Sequence, residues 1–352
     1  TTDSLVGRHA HTAVASAGEF ACSNEWINRV HRNFRWTQLN NLHSYPSDCP
    51  HREKLGWTGD AHATAEAAIY NFDCAQLYTK YVADLFDGQT EAGGLPLIAP
   101  NHRPDSGEPG WTSAGVILPW YLYQYYGDTR LLAEHYEPMK RWLQSLAGGE
   151  PKVVGGWIGD WLSPHLPDPA PPEGNEQHNT VYYCYAAQLL SRIAGVLDQP
   201  ADRARFSRLA HELGALINAR FFDPTNHIYH GGRPTPYRQT PNVEALFLGI
   251  VPEAERPAVI ERLLVWCGPW WSAVLVLPVW LVVVQVLAVL LGMVAKPLAV
   301  VFGGRCEWIW RCWLAALGAW AVWVWAGGGW ARWVAAGCLV LVGVNLVAGL
   351  LL

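Results

Sequence analysis

From Ser23 onward, apolar side chains recur every three or four residues at Trp26, Ile27, Val30, Phe34 and Leu39. That spacing predicts a helix with one apolar face, which Ser23 or Asn24 can cap. A loop punctuated by Pro46, Pro50 and Gly56 follows, and then TGDAHATAEAAIYNF at 58–72 reads as an alanine-rich helix entered through Thr58 or Asp60. Further helices are predicted over 74–87, 113–126, 129–146, 180–197, 202–221 and 242–250, separated by Pro/Gly-rich loops such as GGLPLIAPNHRPDSGEPG and SPHLPDPAPPEG. Strand-like alternation is scarce. Helices repeatedly joined by long loops predict an all-α array of antiparallel hairpins, and closing it into an α/α barrel is one economical way to bury every apolar face. Loops of that length place the expected pocket at one end of the array. Residues 1–22 suit an extended lead-in, or the last strand of a missing preceding β domain, and 23–262 form the helical domain.

The pattern changes abruptly after Arg262. Residues 1–262 hold all 13 histidines and 50 of the 55 charged residues, whereas 263–352 hold five, Lys296, Arg305, Glu307, Arg311 and Arg332. Twelve of the 20 tryptophans lie in the tail, which has no Asp, His, Thr or Tyr. This Trp/Val/Leu-rich, aberrantly apolar C-terminal segment draws on residues whose codons can be written without adenine, as a GC-rich gene read out of frame would give. The rival reading is a membrane span, since 272–302 exceeds the ~20 apolar residues a bilayer helix needs. The eight cysteines, Cys22, Cys49, Cys74, Cys184, Cys267, Cys306, Cys312 and Cys338, have neither zinc-like spacing nor a disulfide framework. A net charge of -5 supplies no basic field for nucleic acid. A chain opening at Thr1 without a leader reads as part of a longer protein, cytoplasmic or secreted.

The densest chemistry is SYPSDCPHREKLGWTGD at 44–60, with Asp48, Glu53 and Asp60 inside thirteen residues. Cleaving a glycosidic bond needs an acid to protonate the departing oxygen, a carboxylate to activate water or attack carbon, and groups that fix the ring. The loop offers candidates for the first and last roles. Neighbouring carboxylates raise one another's pKa while Arg52 and Lys54 lower it, so the motif holds the means to separate its acids. The competing reading makes Asp48 a turn cap, Asp60 a helix cap and Glu53 the partner of a surface lysine.

The run DCPHREKLGWTGDA, with IYNFD after it, resembles the signature of the bacterial α-L-rhamnosidases, glycoside hydrolase family 78. The resemblance continues through FACSNEWIN, DGQTEAGGLPLIAPN, GWTSAGVILPWYLYQYYGD, GDWL, NTVYYCYAAQLL and QTPNVEALFLGIVP, and covers most of 1–262. It implies an (α/α)6 six-hairpin barrel that hydrolyses terminal α-L-rhamnosides with inversion. Glu53 falls on the general acid, and Asp48 and Asp60 on carboxylates that bind rhamnose hydroxyls. Trp57, Trp111 and Trp161 fall on the aromatic lining of the sugar subsite, with Arg52 beside them. Indole rings suit the methyl and C–H faces of a 6-deoxy sugar as carboxylates suit its hydroxyls. Ser113 replaces an acidic residue of the family pattern.

Past Arg262 the resemblance ends before the second catalytic glutamate. The barrel is therefore expected to be incomplete and the base unassigned, Glu307 being a weak candidate. A rhamnose-containing glycoside is the expected partner, with no cofactor, no metal and no nucleic acid, and with a membrane only if the tail is genuine. The competing outcomes are an impaired rhamnosidase, a catalytically silent rhamnose-binding fragment and a membrane-anchored glycosidase.

Overall fold

In the computed structural model the chain divides into two units, Thr1–Leu263 and Leu264–Leu352, and residues 7–101, 106–161, 174–233 and 237–265 are described. The expectations for the apolar tail, Glu307 included, lie outside the described residues. Among the described residues no helix is long and apolar enough to cross a membrane.

The first unit is helical, in the order α1 (Glu25–Asn40), α2 (Thr58–Asn71), α3 (Ala75–Asp87), α4 (Pro109–Thr112), α5 (Ala114–Tyr126), α6 (Thr129–Ser145), α7 (Glu176–Val196), α8 (Pro200–Phe221) and α9 (Gln239–Phe247). One small hairpin, β1 (Phe222–Asp223) with β2 (Ile228–Tyr229), follows α8 with Phe222 opposite Tyr229. Successive contacts run α2 to α5, α5 to α7 and α7 to α9, while α1, α3, α6 and α8 pack as return helices behind them. The core lies between these two rows, around Tyr78, Tyr81, Leu85, Leu118, Leu131, Trp142, Tyr183, Leu213 and Phe221.

The described helices begin and end within a few residues of the predicted ones, with three instructive differences. The stretch predicted over 113–126 forms as α5, but a short unpredicted helix, α4, precedes it, and the two meet at Ser113, which is buried and donates to the Pro109 carbonyl at 2.6 Å. The start of α2 is not capped by Thr58 or Asp60: Trp57 holds the cap position, and the Thr58 hydroxyl donates across the chain to the Leu97 carbonyl at 3.0 Å. In α1 the cap is Asn24, which accepts from the Trp26 amide, but the apolar stripe is not buried. Trp26 is 73% exposed and Val30 66%, and Gln38 is the buried residue of that helix. Apolar spacing fixes a face; it does not supply the element that covers it.

Polar contacts draw the starts of α4, α7 and α9 together at one end of the first unit. The Gly110 amide of α4 donates to Asn179 Oδ1 of α7 at 2.9 Å, the Gly156 amide donates to Asn175 Oδ1 just before α7, and Thr240 of α9 donates to Asp160 Oδ2 at 2.8 Å. Helix N-termini present unpaired N–H groups and partial positive charge, so this end favours anionic and hydroxyl-rich groups.

Candidate active site

The loop before α2 folds on itself through backbone and side-chain pairs. The Asp48 amide donates to the Leu55 carbonyl at 3.1 Å and Lys54 N to Cys49 O at 3.0 Å, and the Leu55 amide donates to Asp48 Oδ1 at 3.2 Å. Lys54 sits at φ 59°, a left-handed conformation that side-chain-bearing residues hold where surrounding contacts impose it. The Cys49 thiol donates to Asp48 Oδ2 at 2.7 Å and accepts from the Glu53 amide at 3.2 Å. Asp48 thus closes the loop as the turn-capping reading required, and it also faces the pocket.

Glu53 is held at both oxygens. Arg52 Nη2 donates to Oε1 at 2.6 Å and the Trp57 indole donates to Oε2 at 2.9 Å. Its ion-pair partner is this arginine, whose side chain is 71% exposed, not a surface lysine. Asp60, in the first turn of α2, is the acid whose pKa is pushed up, to about 6. Burial is the main cause, the charges of Asp48 and Glu53 add to it, and the hydrogen bond from its own backbone amide opposes it.

Asp48, Arg52, Glu53, Trp57, Asp60, Trp111 and Trp161 all surround one cavity of about 600 Å3. Trp57 and Trp111 meet edge-to-face with ring centres 5.4 Å apart, a contact that Gly59 permits, since a Cβ there would come within 2.4 Å of the Trp111 ring. Cys49, His51, Trp157 and Ile158 complete the lining. These four were not singled out in the sequence, although Trp157 lies four residues before Trp161 in WIGDW. The two rings sit 6.5 Å apart at 80°. The lining therefore combines the carboxylates of residues 48–60 with tryptophans from three separate segments of the chain.

Two histidines, His62 on α2 and His178 on α7, carry shifts of opposite sign. His62 pairs with the Gly110 carbonyl at 2.9 Å and its pKa falls to about 4, chiefly because burial disfavours the charged ring. His178 is the opposite case. Burial lowers its pKa, but the Glu244 carboxylate 2.6 Å from Nδ1 outweighs that, with Asp160 and Glu108 adding to it, and the net shift is upward. Among the described residues, the one grouping with metal-ligand character is Asp48, Cys49 and Glu53, whose ligand atoms lie within 4.8 Å of one another. Each of these residues also takes part in the hydrogen bonds described above.

With this geometry in view, comparison with known proteins is specific. The family model described as the bacterial alpha-L-rhamnosidase 6 hairpin glycosidase domain matches residues 15–267. An alpha-L-rhamnosidase of Streptomyces avermitilis is 34% identical over 268 residues, covering 75% of this chain and 25% of its own length. One from Formosa agariphila is 32% identical, covering 72% and 28%. The chain thus spans about a quarter of the length of these relatives. Among solved structures, the alpha-L-rhamnosidase of Dictyoglumus thermophilum superimposes with a TM-score of 0.68 at 39% identity, covering 72% of this chain and 29% of its own. The Streptomyces avermitilis enzyme complexed with L-rhamnose gives 0.65 at 30% identity, covering 73% and 24%. A helical array in which the starts of α2 and α4 contribute to a tryptophan-lined, carboxylate-bearing cavity, matched over 15–267, places this chain in the bacterial α-L-rhamnosidase six-hairpin glycosidase family.

Proposed function

We propose that this domain binds a terminal α-L-rhamnosyl group in the Asp48–Trp161 cavity and that Glu53 protonates the departing oxygen, in a hydrolysis that inverts the anomeric carbon. The observation that carries the reading is the setting of Glu53. A glutamate fixed by Arg52 and Trp57 at the edge of a tryptophan-lined cavity is positioned to meet a leaving oxygen, while Asp48 and Asp60 take the sugar hydroxyls. The exposed methyl and C–H faces of the ring lie against indole. L-Rhamnose in the Streptomyces avermitilis relative is consistent with this ligand.

Inversion needs a second carboxylate, about 6.5–9.5 Å from the acid, to activate water on the opposite face of the ring. The carboxylates lining the cavity, among the described residues, are Asp48, Glu53 and Asp60, all from one stretch of thirteen residues. This supports the further proposal that turnover by this 352-residue chain is impaired while sugar binding is retained. The same observation favours a second reading, a silent rhamnose-binding unit.

Two measurements test the reading. Titration with free L-rhamnose, followed by tryptophan fluorescence, is expected to saturate, and no binding at millimolar sugar sinks the proposal. Incubation with an aryl α-L-rhamnoside, monitored by proton NMR, is expected to give little product. Any first-formed anomer is expected to be inverted, and a retained anomer rules out the mechanism.

A further inference from the structure

We infer that Glu108, which does not line the cavity, is the positioning residue that presets its tryptophan wall for an apolar sugar face. The inference rests on the proposed sugar site for its functional consequence, but its structural content stands apart from it. Glu108 precedes α4 and is 6% exposed. Its Oε2 accepts from the amides of Trp157 at 2.5 Å and Ile158 at 3.1 Å, and its Oε1 accepts from the Gly159 amide at 2.5 Å. Three consecutive backbone N–H groups therefore converge on one buried carboxylate.

The segment they belong to has no regular secondary structure of its own. A chain without a helix or sheet ladder has its amides satisfied by whatever partner the fold supplies, and here the partner is a charged acceptor, the stronger kind. Local sequence is shaped around it. A Cβ at Gly156 would approach Glu108 Oε2 to 1.7 Å, and Gly159 takes φ 60°. The grip fixes the backbone from which Trp157, Ile158 and Trp161 reach the cavity. Glu108 is also three residues from Trp111, whose own amide donates to the Glu108 carbonyl at 3.1 Å. One residue thereby ties together the Trp111 wall and the Trp157–Trp161 wall. Without the carboxylate, three backbone donors, two of them in buried bonds, lose their acceptor and the rings lose their fixed spacing. An indole surface preorganised in this way loses less entropy when a deoxysugar packs on it.

The test uses the intact chain. In hydrogen exchange, the amides of 157, 158 and 159 are expected to be protected although Trp157 is 62% exposed. Exchange at the rate of an open loop overturns the inference, whether or not any variant folds. Glu108→Gln is expected to change the near-ultraviolet circular dichroism of the tryptophans and to weaken L-rhamnose binding ~10-fold or more. Glu108→Asp, which keeps the charge, is expected to recover part of both. As a control for simple destabilisation, Leu213→Ala on α8, which contributes nothing to the cavity, is expected to lower the unfolding midpoint and leave affinity unchanged. An unchanged rhamnose Kd in Glu108→Gln overturns the inference. If the unaltered chain binds no rhamnose, the sugar-site reading fails, and exchange together with circular dichroism still decides whether Glu108 sets the wall.

Discussion

The indole of Trp57 donates to Glu53 Oε2 at 2.9 Å, and this bond joins the wall of the cavity to the group proposed to do its chemistry. Three residues separate the two, and the loop turn at Lys54 brings them together. In the proposed site this tryptophan therefore has two duties, an apolar face toward the sugar and a donor toward the acid. Trp57→Phe keeps most of the first and removes the second. In a rhamnosidase carrying this motif and a complete catalytic pair, kcat on alkyl rhamnosides is expected to fall ~10-fold or more, with a smaller loss on activated aryl substrates that need little protonation. Equal losses on both substrate classes would remove Trp57 from acid catalysis and leave it a packing role.

Asp60 gives the site a pH signature whose sign follows from its surroundings. The folded carboxyl holds its proton up to about 6 and the unfolded one releases it near 3.8. In that window the folded state binds more protons, so stability declines as pH rises through it. Asp60→Asn removes the decline. The variant is expected to be more stable than the parent at pH 7, by on the order of 1–2 kcal/mol after allowing for partial exposure, with the difference gone by about pH 4. Urea midpoints at the two pH values check this, and an Asn variant less stable at pH 7 contradicts it. Rhamnose binding is expected to weaken in the same variant, because a hydroxyl acceptor is lost.

Gly59 is where the first wall is most tightly fitted. Any side chain there meets the Trp111 ring at 2.4–2.9 Å, so Gly59→Ala forces either the indole or the start of α2 to shift. The expected cost is about 1–3 kcal/mol of stability. Weaker rhamnose binding is expected as well, because Trp111 leaves its edge-to-face contact with Trp57. A variant with unchanged thermal midpoint and unchanged affinity would show that the wall accommodates the methyl.

How far the sequence could be read depended on where each partner lay. Helices α3, α6 and α8 were legible because a return helix carries an apolar stripe at helical spacing. The motif residues were legible because Asp48, Glu53, Trp57 and Asp60 are neighbours in the chain as well as in space. The α1 stripe misled, since periodicity cannot report that Trp26 and Val30 remain exposed. The cap of α2 misled because the Thr58 hydroxyl serves Leu97, 39 residues away. Glu108 left no signal at all: its partners are backbone amides about 50 residues on, and an amide has no residue-type signature.

His62 opposes Asp60, two residues away on the same helix. Its pKa is lowered from 6.5 to about 4, with burial the leading cause and the His178 charge helping, against the hydrogen bond to Gly110. The unfolded chain therefore binds a proton that the folded one refuses, and stability is lost as pH falls from 6.5 toward 4. The loss is on the order of 2–3 kcal/mol if the ring stays fully enclosed. His62→Gln retains a donor for the Gly110 carbonyl and does not titrate, so it is expected to resist unfolding at pH 4.5 better than the parent while matching or trailing it at pH 7. The two groups act with opposite sign between about pH 4 and 6, and the parent's profile alone can look flat. The single variants separate them: Asp60→Asn steepens the acid loss and His62→Gln reverses it. Urea titrations of both across pH 4–7 decide the matter, and a His62→Gln profile parallel to the parent's would mean that the imidazole takes its proton at no cost to the fold.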